Sequence, residues 1–564
     1  MSARLPEPGF VELFTPKLLT VLREGYGLGE LKRDALAGLT VAIVALPLSM
    51  AIAISCGLSP THGLYASIVG GFLVSALGGS RFQIGGPAGA FIVLVAATVA
   101  QHGVGGMLVA TMMAGVILII TGLLRLGTYV KFIPYPVTVG FTAGIAIIIL
   151  AAQIKDLFGL TLTGPEPGEL LPKLVALTEA LPTANITAIA VSLVAILLIM
   201  AVQRWRPTWP AYLIAVAVPT VAVALLSLPV ETIGSRFGAI PRALPGVSLP
   251  PLDVATILTL LPNALAFALL GAIESLLSAV VADGMTGRRH RSNCELVAQG
   301  IANVGSAITS GMVVTGTIAR TATNVRAGAH GPVAGMLHAL FLGIFLLVAA
   351  PVLQLVPLAA LAGVLVIVAW NMAERHQFAL LLRSSRGDAL VLLVTFLFTI
   401  FQDLSFGITA GVAVGGILFI TRAASSSGID REMLPVDLAD TKGEEREAYE
   451  PVAVPVYRMR GPFFFGVASA IGQVIDDAAK KHKAFVLDLF EVPFLDSTAA
   501  RTLISAAMHA RKRGVDLYIS GAAPSIRRGL LTHGIREAHP HFRTTADEAI
   551  SEIVEKGIKR NAGD

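Results

Sequence analysis

The carboxylate of Glu274 lies near the middle of an apolar run that is long enough to cross a bilayer, LPNALAFALLGAIESLLSAVVADGMTG (261–287). About forty residues further on, a second apolar segment breaks at the sequence TGT (315–317) and restarts as a helix that contains Arg320. An ionisable group at membrane depth costs several kcal/mol and marks a functional site by default, and a helix breaks at that depth only where its backbone is buried in protein or lines a cavity. The two features together predict an ion-coupled anion site. The alternative is that Glu274 only pairs with Arg320 to hold two helices together.

The composition places the chain in a membrane. Of its 564 residues, 54% are hydrophobic and only 14% are charged, whereas soluble domains contain about 25% charged residues. The two cysteines, Cys56 and Cys294, lie far apart in the sequence, so we expect no disulfide framework, no metal site and no cofactor. No P-loop sequence is present, which excludes an ATP-driven motor of that class. The net charge of +5 comes from basic residues between the apolar runs, so we expect no nucleic-acid partner.

Fourteen apolar segments follow one another in two sets of seven. The first set lies near residues 35–56, 61–79, 86–101, 105–126, 134–153, 185–203 and 209–228. The second set lies near residues 257–282, 294–312, 316–327, 331–352, 356–372, 388–404 and 406–423. The third and tenth segments are too short to cross a bilayer alone.

Basic residues orient these segments. If the N-terminus lies inside, the loops that are then cytoplasmic carry more Lys and Arg residues than the opposite loops, as the positive-inside rule requires. The basic residues of these loops include Arg81, Arg125, Lys131, Arg204, Arg206, Arg288, Arg289, Arg291, Arg326, Arg375, Arg383 and Arg386. We therefore expect both termini to lie in the cytoplasm.

The two sets of segments resemble each other. GGPAGAFIV (85–93) and TGTIARTAT (315–323) are short, glycine-interrupted segments at corresponding places. Because seven is an odd number, two related sets of seven spans must have opposite orientations. Paired interrupted segments in corresponding positions indicate a transporter's substrate site. The sequence therefore predicts a polytopic α-helical membrane protein with fourteen spans in a 7+7 inverted repeat.

The composition changes after Arg422. Residues 424–451 are polar and acidic, which is typical of a linker. From residue 452 onward, strand-like runs such as AFVLDLF alternate with helical patterns such as TAARTLISAAMHARKR. We expect a soluble α/β domain with a core of its own.

The two interrupted segments predict the chemistry of the site. We expect the helix of the third segment to begin at Gly86-Pro87, with proline at the favoured first position, and a threonine of Thr315-Gly316-Thr317 to cap the helix of the tenth segment. Each helix start offers free N–H groups and about half a positive charge, and Arg320 adds another charge. A bound dianion is then balanced only if Glu274 is protonated, which predicts proton-coupled uptake. Sodium is the competing coupling ion, with Ser275 and Ser278 as candidate helpers of Glu274 in a cation site.

Several stretches resemble the signature sequences of the sulfate permease (SulP) family of anion transporters. They are LPLSMAIAISCGLSPTHGLYAS, GGSRFQIGGPAGAF, LGAIESLLSAVVADGMTG, NCELVAQGIANV and TIARTATNVRAGAHGP. The resemblance covers nearly the whole chain, including a C-terminal STAS domain, and within the family it points to bacterial transporters of four-carbon dicarboxylates. It implies the inverted repeat that is also found in uracil permease, a gate domain and a mobile core domain, and a place in the bacterial inner membrane. The domains expected are a cytoplasmic N-terminal segment (1–33), the transmembrane domain (34–423, with repeats at about 34–228 and 255–423), the linker (424–451) and the STAS domain (452–560).

The resemblance also implies which residues touch the anion. They are Ala45, Leu48 and Ile52 in the first span, Pro87 and Ala88 in the third, and Gly316, Thr317, Ile318, Ala319 and Arg320 in the tenth. Glu274 and Ser278 stand where sodium-coupled bicarbonate transporters of the family have Asp and Thr, which favours a proton over sodium. The first span lacks the glutamines that animal members place around the proline, so an organic anion such as succinate or fumarate is favoured over bare sulfate or chloride.

The expected activity is secondary active transport of a small anion, without enzymatic activity. A sodium-coupled bicarbonate transporter, an anion exchanger or a channel of the same fold are the alternatives, and a membrane anchor for a signalling domain is a further one. Family analogy implies a homodimer, contact with membrane lipid and a cytoplasmic protein partner of the STAS domain. In that domain Ser497 matches a position that accepts a phosphate in signalling proteins, although Asp496 or Ser497 can simply cap the following helix.

Overall fold

The computed structural model describes residues 9–128, 134–164, 166–167, 169–207, 209–244, 246–250, 253–402, 404–435, 453–535 and 540–561. Lys131, residues 1–8 of the expected N-terminal segment and residues 436–451 of the expected linker lie outside this described part. The chain divides into two compact units, Met1–Val412 and Ala413–Asp564, and each is treated by itself below.

The first half of the membrane unit is built from helices and one two-residue strand. Its α-helices are α1 (Phe10–Phe14), α2 (Lys17–Glu24), α3 (Leu28–Ser55), α4 (Pro60–Tyr65), α5 (Gly71–Leu77), α6 (Ile92–Leu123), α7 (Tyr135–Phe158), α8 (Leu170–Ala180), α9 (Ile186–Trp205), α10 (Ala211–Leu226) and α11 (Ile233–Phe237). A π-helical turn (Ala66–Gly70) joins α4 to α5. The strand β1 (Gly85–Gly86) and a 3₁₀ turn (Gly89–Phe91) precede α6. Gly103, with a φ of 67°, interrupts α6 between the third and fourth predicted spans.

The second half repeats this order. Its elements are α12 (Val254–Thr286), α13 (Ser292–Ile308), β2 (Thr315–Gly316), α14 (Ile318–Arg326), α15 (Val333–Leu353), α16 (Leu358–Met372), α17 (Arg375–Ser384), α18 (Arg386–Phe401) and α19 (Leu404–Ser425). Every one of the fourteen predicted segments contains a helix. Eight helices among the described residues are long and apolar enough to cross a membrane, so the count of fourteen spans stays a prediction.

Helices of each half pack against helices of the other half. The helix of the first predicted segment in each half packs on the helix of the fourth segment in the other half, as α3 does on α15 and α12 does on α6. In the same way α7 packs on α18, and α16 packs on α9. This exchanged pattern fits the predicted inverted repeat. We call α3–α6 with α12–α15 the core bundle, and α7–α10 with α16–α18 the gate bundle.

The N-terminal segment folds onto the core bundle. The Lys17 N–H donates to the Gly78 carbonyl over 2.9 Å, and the Arg291 guanidinium donates to the Thr15 carbonyl over 2.8 Å. Asp34, which is fully buried near the start of α3, accepts hydrogen bonds from the N–H groups of the loop that leads into α15. Residues 9–27 are therefore attached to the core bundle.

The second unit is a three-layered α/β domain, with helices on both faces of a sheet. Its five-stranded sheet has the order β3 (Gly428–Pro435), β4 (Ala453–Arg460), β5 (Ala484–Glu491), β6 (Asp516–Ser520) and β7 (His541–Arg543). Only the pair β3–β4 is antiparallel. The helices are α20 (Phe465–Lys481), α21 (Ser497–Lys512), α22 (Pro524–Thr532) and α23 (Ala546–Asn561), with separate apolar clusters on the two faces of the sheet. Strand β3 lies within residues 424–451, which the sequence analysis assigned to a linker. The sequence GIDREMLP is too polar to be recognised as a strand, because β3 lies at the edge of the sheet.

Candidate functional site

A short antiparallel pair brings the two interrupted segments together. Strand β1 pairs with β2, and Gly85 lies opposite Gly316. The chains approach so closely that a Cβ atom on Gly316 would lie 1.4 Å from the Gln83 Nε2 atom, and a Cβ atom on Gly86 would lie 2.3 Å from an Arg320 nitrogen. Both segments are thus broken as predicted, and glycine is required where they cross.

The third segment becomes helical later than expected. The sequence predicted a helix start at Gly86-Pro87, but the 3₁₀ turn begins at Gly89 and Ala88 is its N-cap. The prediction was wrong because Gly86 is used in pairing with β2, which keeps the chain extended through Pro87 and Ala88. Within the described part of the chain, no side chain caps this helix start.

Thr317 occupies the N-cap position of α14, but its side chain does not cap the helix, so the expectation that a threonine caps here was wrong. Its hydroxyl instead donates to the Ile84 carbonyl over 3.3 Å. The first-turn N–H groups of α14 therefore have no side-chain cap. Gly89 and Ile318 are half-buried and Ala319 is exposed, although residues 84–88 and 315–317 are buried. The residues at the two helix starts are therefore less buried than the β1–β2 pair beside them, and free N–H groups at a helix start are suited to binding an anion.

Arg320 places its charge beside the start of the third-segment helix. The side chain is 1% exposed, and its terminal nitrogens donate to the Ser67 hydroxyl over 3.3 Å, the Ser49 hydroxyl over 3.1 Å and the Pro87 carbonyl over 3.3 Å. Its Nε atom has no hydrogen-bond partner among the described residues. Arg320 thus ties α14 to α3, to the π-helical turn and to the chain that follows β1.

Glu274 lies inside the bundle. It is 8% exposed on α12, and among the described residues no salt bridge joins it to Arg320. The reading in which these two groups only hold helices together therefore has no ion pair to support it. The Ser275 hydroxyl donates to its own helix at the Gly271 carbonyl over 2.6 Å, and the Ser278 hydroxyl lies 3.0 Å from Thr321 Oγ1 on α14.

Ala45, Leu48 and Ile52 lie on one face of α3 and are buried. They belong to the same apolar cluster as Ala88, and α14 packs on α3. The structure thus brings the first, third and tenth predicted segments together around the β1–β2 pair.

Three polar residues of this site were missed at the level of sequence. Gln83 Nε2 donates to the Ser275 carbonyl over 3.1 Å. The Asn303 side chain makes two 2.8 Å hydrogen bonds to the backbone of Val314, just before β2. Thr321 Oγ1 accepts the Ile84 N–H over 3.1 Å. Gln83 and Asn303 stood within the quoted family motifs, but nothing in their spacing assigned them a partner.

Ser497 is the first residue of α21 and is exposed. The capping role falls to Asp496, whose carboxylate accepts the Ala499 N–H over 2.7 Å and the Phe465 N–H over 3.1 Å. Helix capping by Asp496, the alternative given for this loop, is therefore observed. Phosphate acceptance by Ser497 stays a prediction.

Comparisons with known proteins agree on one family. The sulfate permease family model matches residues 31–395, and the STAS domain model matches residues 445–549. YvdB of Bacillus subtilis, provisionally named a sulfate transporter, is 38% identical over 88% of this chain and 93% of its own length. The bicarbonate transporter BicA of Picosynechococcus is 31% identical over 89% and 90% of the two chains. The murine Slc26a9 anion transporter, solved in an inward-facing state, has the same fold with a TM-score of 0.84 and 19% identity over 98% of this chain and 96% of its own.

Proposed function

The chain belongs to the sulfate permease family, and we propose that it is a secondary active transporter that takes up a small oxyanion together with a proton. As a member of this family it is a membrane anion transporter with a STAS domain and not an enzyme. The proton, the substrate and the residues that bind them are the proposal. The observation that carries it is the pair of uncapped helix starts, at Gly89 and Ile318, together with an interior carboxylate on α12, which packs on α14 and has no ion pair among the described residues.

Charge balance supports binding of an anion at these helix starts. Each supplies about half a positive charge, and Arg320 supplies one more. Pro87, Ala88 and residues 316–320 line the starts, and Ala45, Leu48 and Ile52 form the apolar wall contributed by α3. A dianion is thereby neutralised in a place from which most water is excluded.

Glu274 provides the coupling in this proposal. An ionised carboxylate beside a bound dianion, with no cation of its own, costs several kcal/mol in a bilayer. The anion therefore enters with Glu274 protonated, and departure of the anion allows the proton to leave. A gradient of protons then drives uptake without ATP.

The open side of the site supports an inward-facing arrangement. Ala319 and Arg326 on α14 are exposed and Thr323 between them is half-buried, and their i, i+4, i+7 spacing puts them on one helix face. A face that contains threonine and arginine is suited to a water-filled path and not to lipid. It leads from the helix start towards the predicted cytoplasmic loop at Arg326.

Two classes of anion, dicarboxylates and inorganic oxyanions, are candidates for the substrate. The apolar wall of α3 favours a dicarboxylate such as succinate or fumarate, whereas the names of the relatives reported above favour sulfate or bicarbonate. Sodium-coupled bicarbonate transport is the second candidate function, because Ser278 lies one helical turn from Glu274 and the BicA relative carries that substrate in its name. In that case Glu274, Ser275 and Ser278 would hold the cation.

Uptake by proteoliposomes tests the proposal. Labelled sulfate, succinate, fumarate and bicarbonate are offered with an inward proton gradient, an inward sodium gradient or neither. We expect saturable uptake of at least one anion that increases with the proton gradient alone. Uptake that increases with the sodium gradient alone would show that sodium, and not the proton, is the coupling ion. Anion current without a coupling gradient would identify a channel.

The remaining assignments belong to the same proposal. They are a place in the bacterial inner membrane with both termini in the cytoplasm, a homodimer in contact with lipid, a cytoplasmic protein partner of the STAS domain, and a regulatory phosphosite at Ser497. The predicted boundaries at residues 34, 424 and 452 stay predictions as well.

A further inference from the structure

A methionine of the gate bundle reaches the helix start in the core bundle. A Cβ atom on Gly89 would lie 3.3 Å from the Met372 Sδ atom and 3.6 Å from the Ile149 Cδ1 atom. Met372 is half-buried and packs against the apolar cluster that contains Ala88 and Leu48. The helix that carries Met372, α16, also packs on α3. The half-buried edge of the site thus has a sulfur-containing side chain on its far side.

The backbone after Met372 is held in an unusual conformation. Helix α16 ends at Met372, Ala373 is its C-cap, and Glu374 follows with φ 39° and ψ 41°. Glycine is the usual residue in this left-handed position, and other L-residues lose about 1–2 kcal/mol there. The strained turn ends the helix at Met372, so that the last side chain of α16 is the one that meets Gly89.

We propose that Met372 forms the gate-side wall of the anion cavity and sets the length of the longest anion that the cavity accepts. This inference rests on the proposed function and adds a gate-bundle residue to a site that otherwise comes from the core bundle. A thioether side chain has three rotatable bonds and fills irregular gaps, so it adjusts to anions of different length up to a limit. Because Met372 and Gly89 belong to different bundles, a movement of the core bundle separates them, and the limit applies to the arrangement seen here.

Competition by dicarboxylates of increasing length measures this limit. Uptake of labelled sulfate and labelled succinate is inhibited with oxalate, malonate, succinate, glutarate and adipate, in the parent and in Met372→Ala, Met372→Phe and Met372→Leu. In Met372→Ala we expect inhibition by the longer acids to improve by about fourfold for each added methylene relative to the parent, since one buried methylene contributes about that factor. Met372→Phe shifts the preference to shorter acids, and Met372→Leu stays close to the parent.

Two variants serve as matched controls. Met200→Ala removes a methionine that is 55% exposed on α9 of the gate bundle, and it keeps the parental length profile. Glu374→Gly removes the neighbouring carboxylate but keeps the left-handed turn, and it also keeps that profile. A shift of the profile in Glu374→Gly as large as that in Met372→Ala would overturn the assignment to Met372.

The outcomes separate this inference from the proposed function. If the parent takes up an anion and the Met372 variants share its length profile, the wall is refuted and the transporter stands. If the parent takes up no anion, both are refuted. The shift in melting temperature that each acid produces in detergent is a second readout that does not need turnover. Should Met372→Ala fail to fold, the comparison of Met372→Phe with Met372→Leu decides.

Discussion

Replacing Gly316 with alanine tests the crossing of the two broken segments. The new Cβ atom would lie 1.4 Å from Nε2 and 2.4 Å from Cδ of Gln83, so the Gln83 side chain has to leave its position. Crowding of this kind in a packed interior costs about 1–3 kcal/mol, and loss of the hydrogen bond from Gln83 to the Ser275 carbonyl adds about 1 kcal/mol. We expect Gly316→Ala to lower the free energy of unfolding by about 2–4 kcal/mol and to reduce uptake.

A double-mutant cycle shows whether Gln83 is the cause. The free energy of unfolding is measured by denaturant titration in mixed micelles for Gly316→Ala, Gln83→Ala and the double variant. Because alanine at position 83 removes the atoms that collide, the double variant should be about as stable as Gln83→Ala alone. If the two single effects add within about 0.5 kcal/mol, or if Gly316→Ala is as stable as the parent, the close crossing described here is wrong.

Three further predictions concern single groups. Arg320→Met should reduce uptake at least tenfold at equal expression, because the site loses its one full positive charge; parental uptake would remove Arg320 from the site. Asp496→Ala should destabilise the second unit by about 1 kcal/mol through the lost helix cap, measured by thermal unfolding, whereas Ser497→Ala should not; equal effects would contradict the capping assignment. Burial raises the pKa of Glu552, but a hydrogen bond from Lys556 lowers it and the net shift is downward. The stability that Glu552 contributes is therefore complete above its usual pKa of 4.5 and declines as the pH falls below it. When unfolding is measured over a series of pH values, Glu552→Gln should lose this decline, and an unchanged series would refute the interaction of Glu552 with Lys556.

Local pattern was sufficient to predict an α-helical membrane protein and to place a helix in each of the fourteen predicted segments. Apolar runs and basic loops are properties of neighbouring residues, and the interrupted segments at Gly85 and Gly316 stood out for the same reason. The pairing of these glycines joins residues that are more than two hundred positions apart, and no local signal sets its register. The helix start near Pro87 was misplaced for this reason, since the pairing keeps the chain extended past the proline.

Polar residues with distant partners were the other gap. Gln83 and Asn303 are each flanked by apolar residues in the sequence. Their roles depend on the Ser275 carbonyl and on the backbone of Val314, which only the folded chain brings near. Met372 was also missed, because a methionine at the end of an apolar helix is typical of any membrane span. Glu274, by contrast, was predicted as an interior residue because a carboxylate at that depth has few other places to lie.

Simultaneous recording of anion uptake and proton entry, in proteoliposomes that contain a trapped pH indicator, tests the central claim most directly. The parent protein should acidify the vesicle interior as the anion enters, and an imposed inward proton gradient should accelerate both. With Glu274→Gln, anion uptake should no longer respond to the proton gradient and no acidification should accompany it. Acidification and gradient dependence that persist unchanged in Glu274→Gln would contradict the claim that this carboxylate carries the proton.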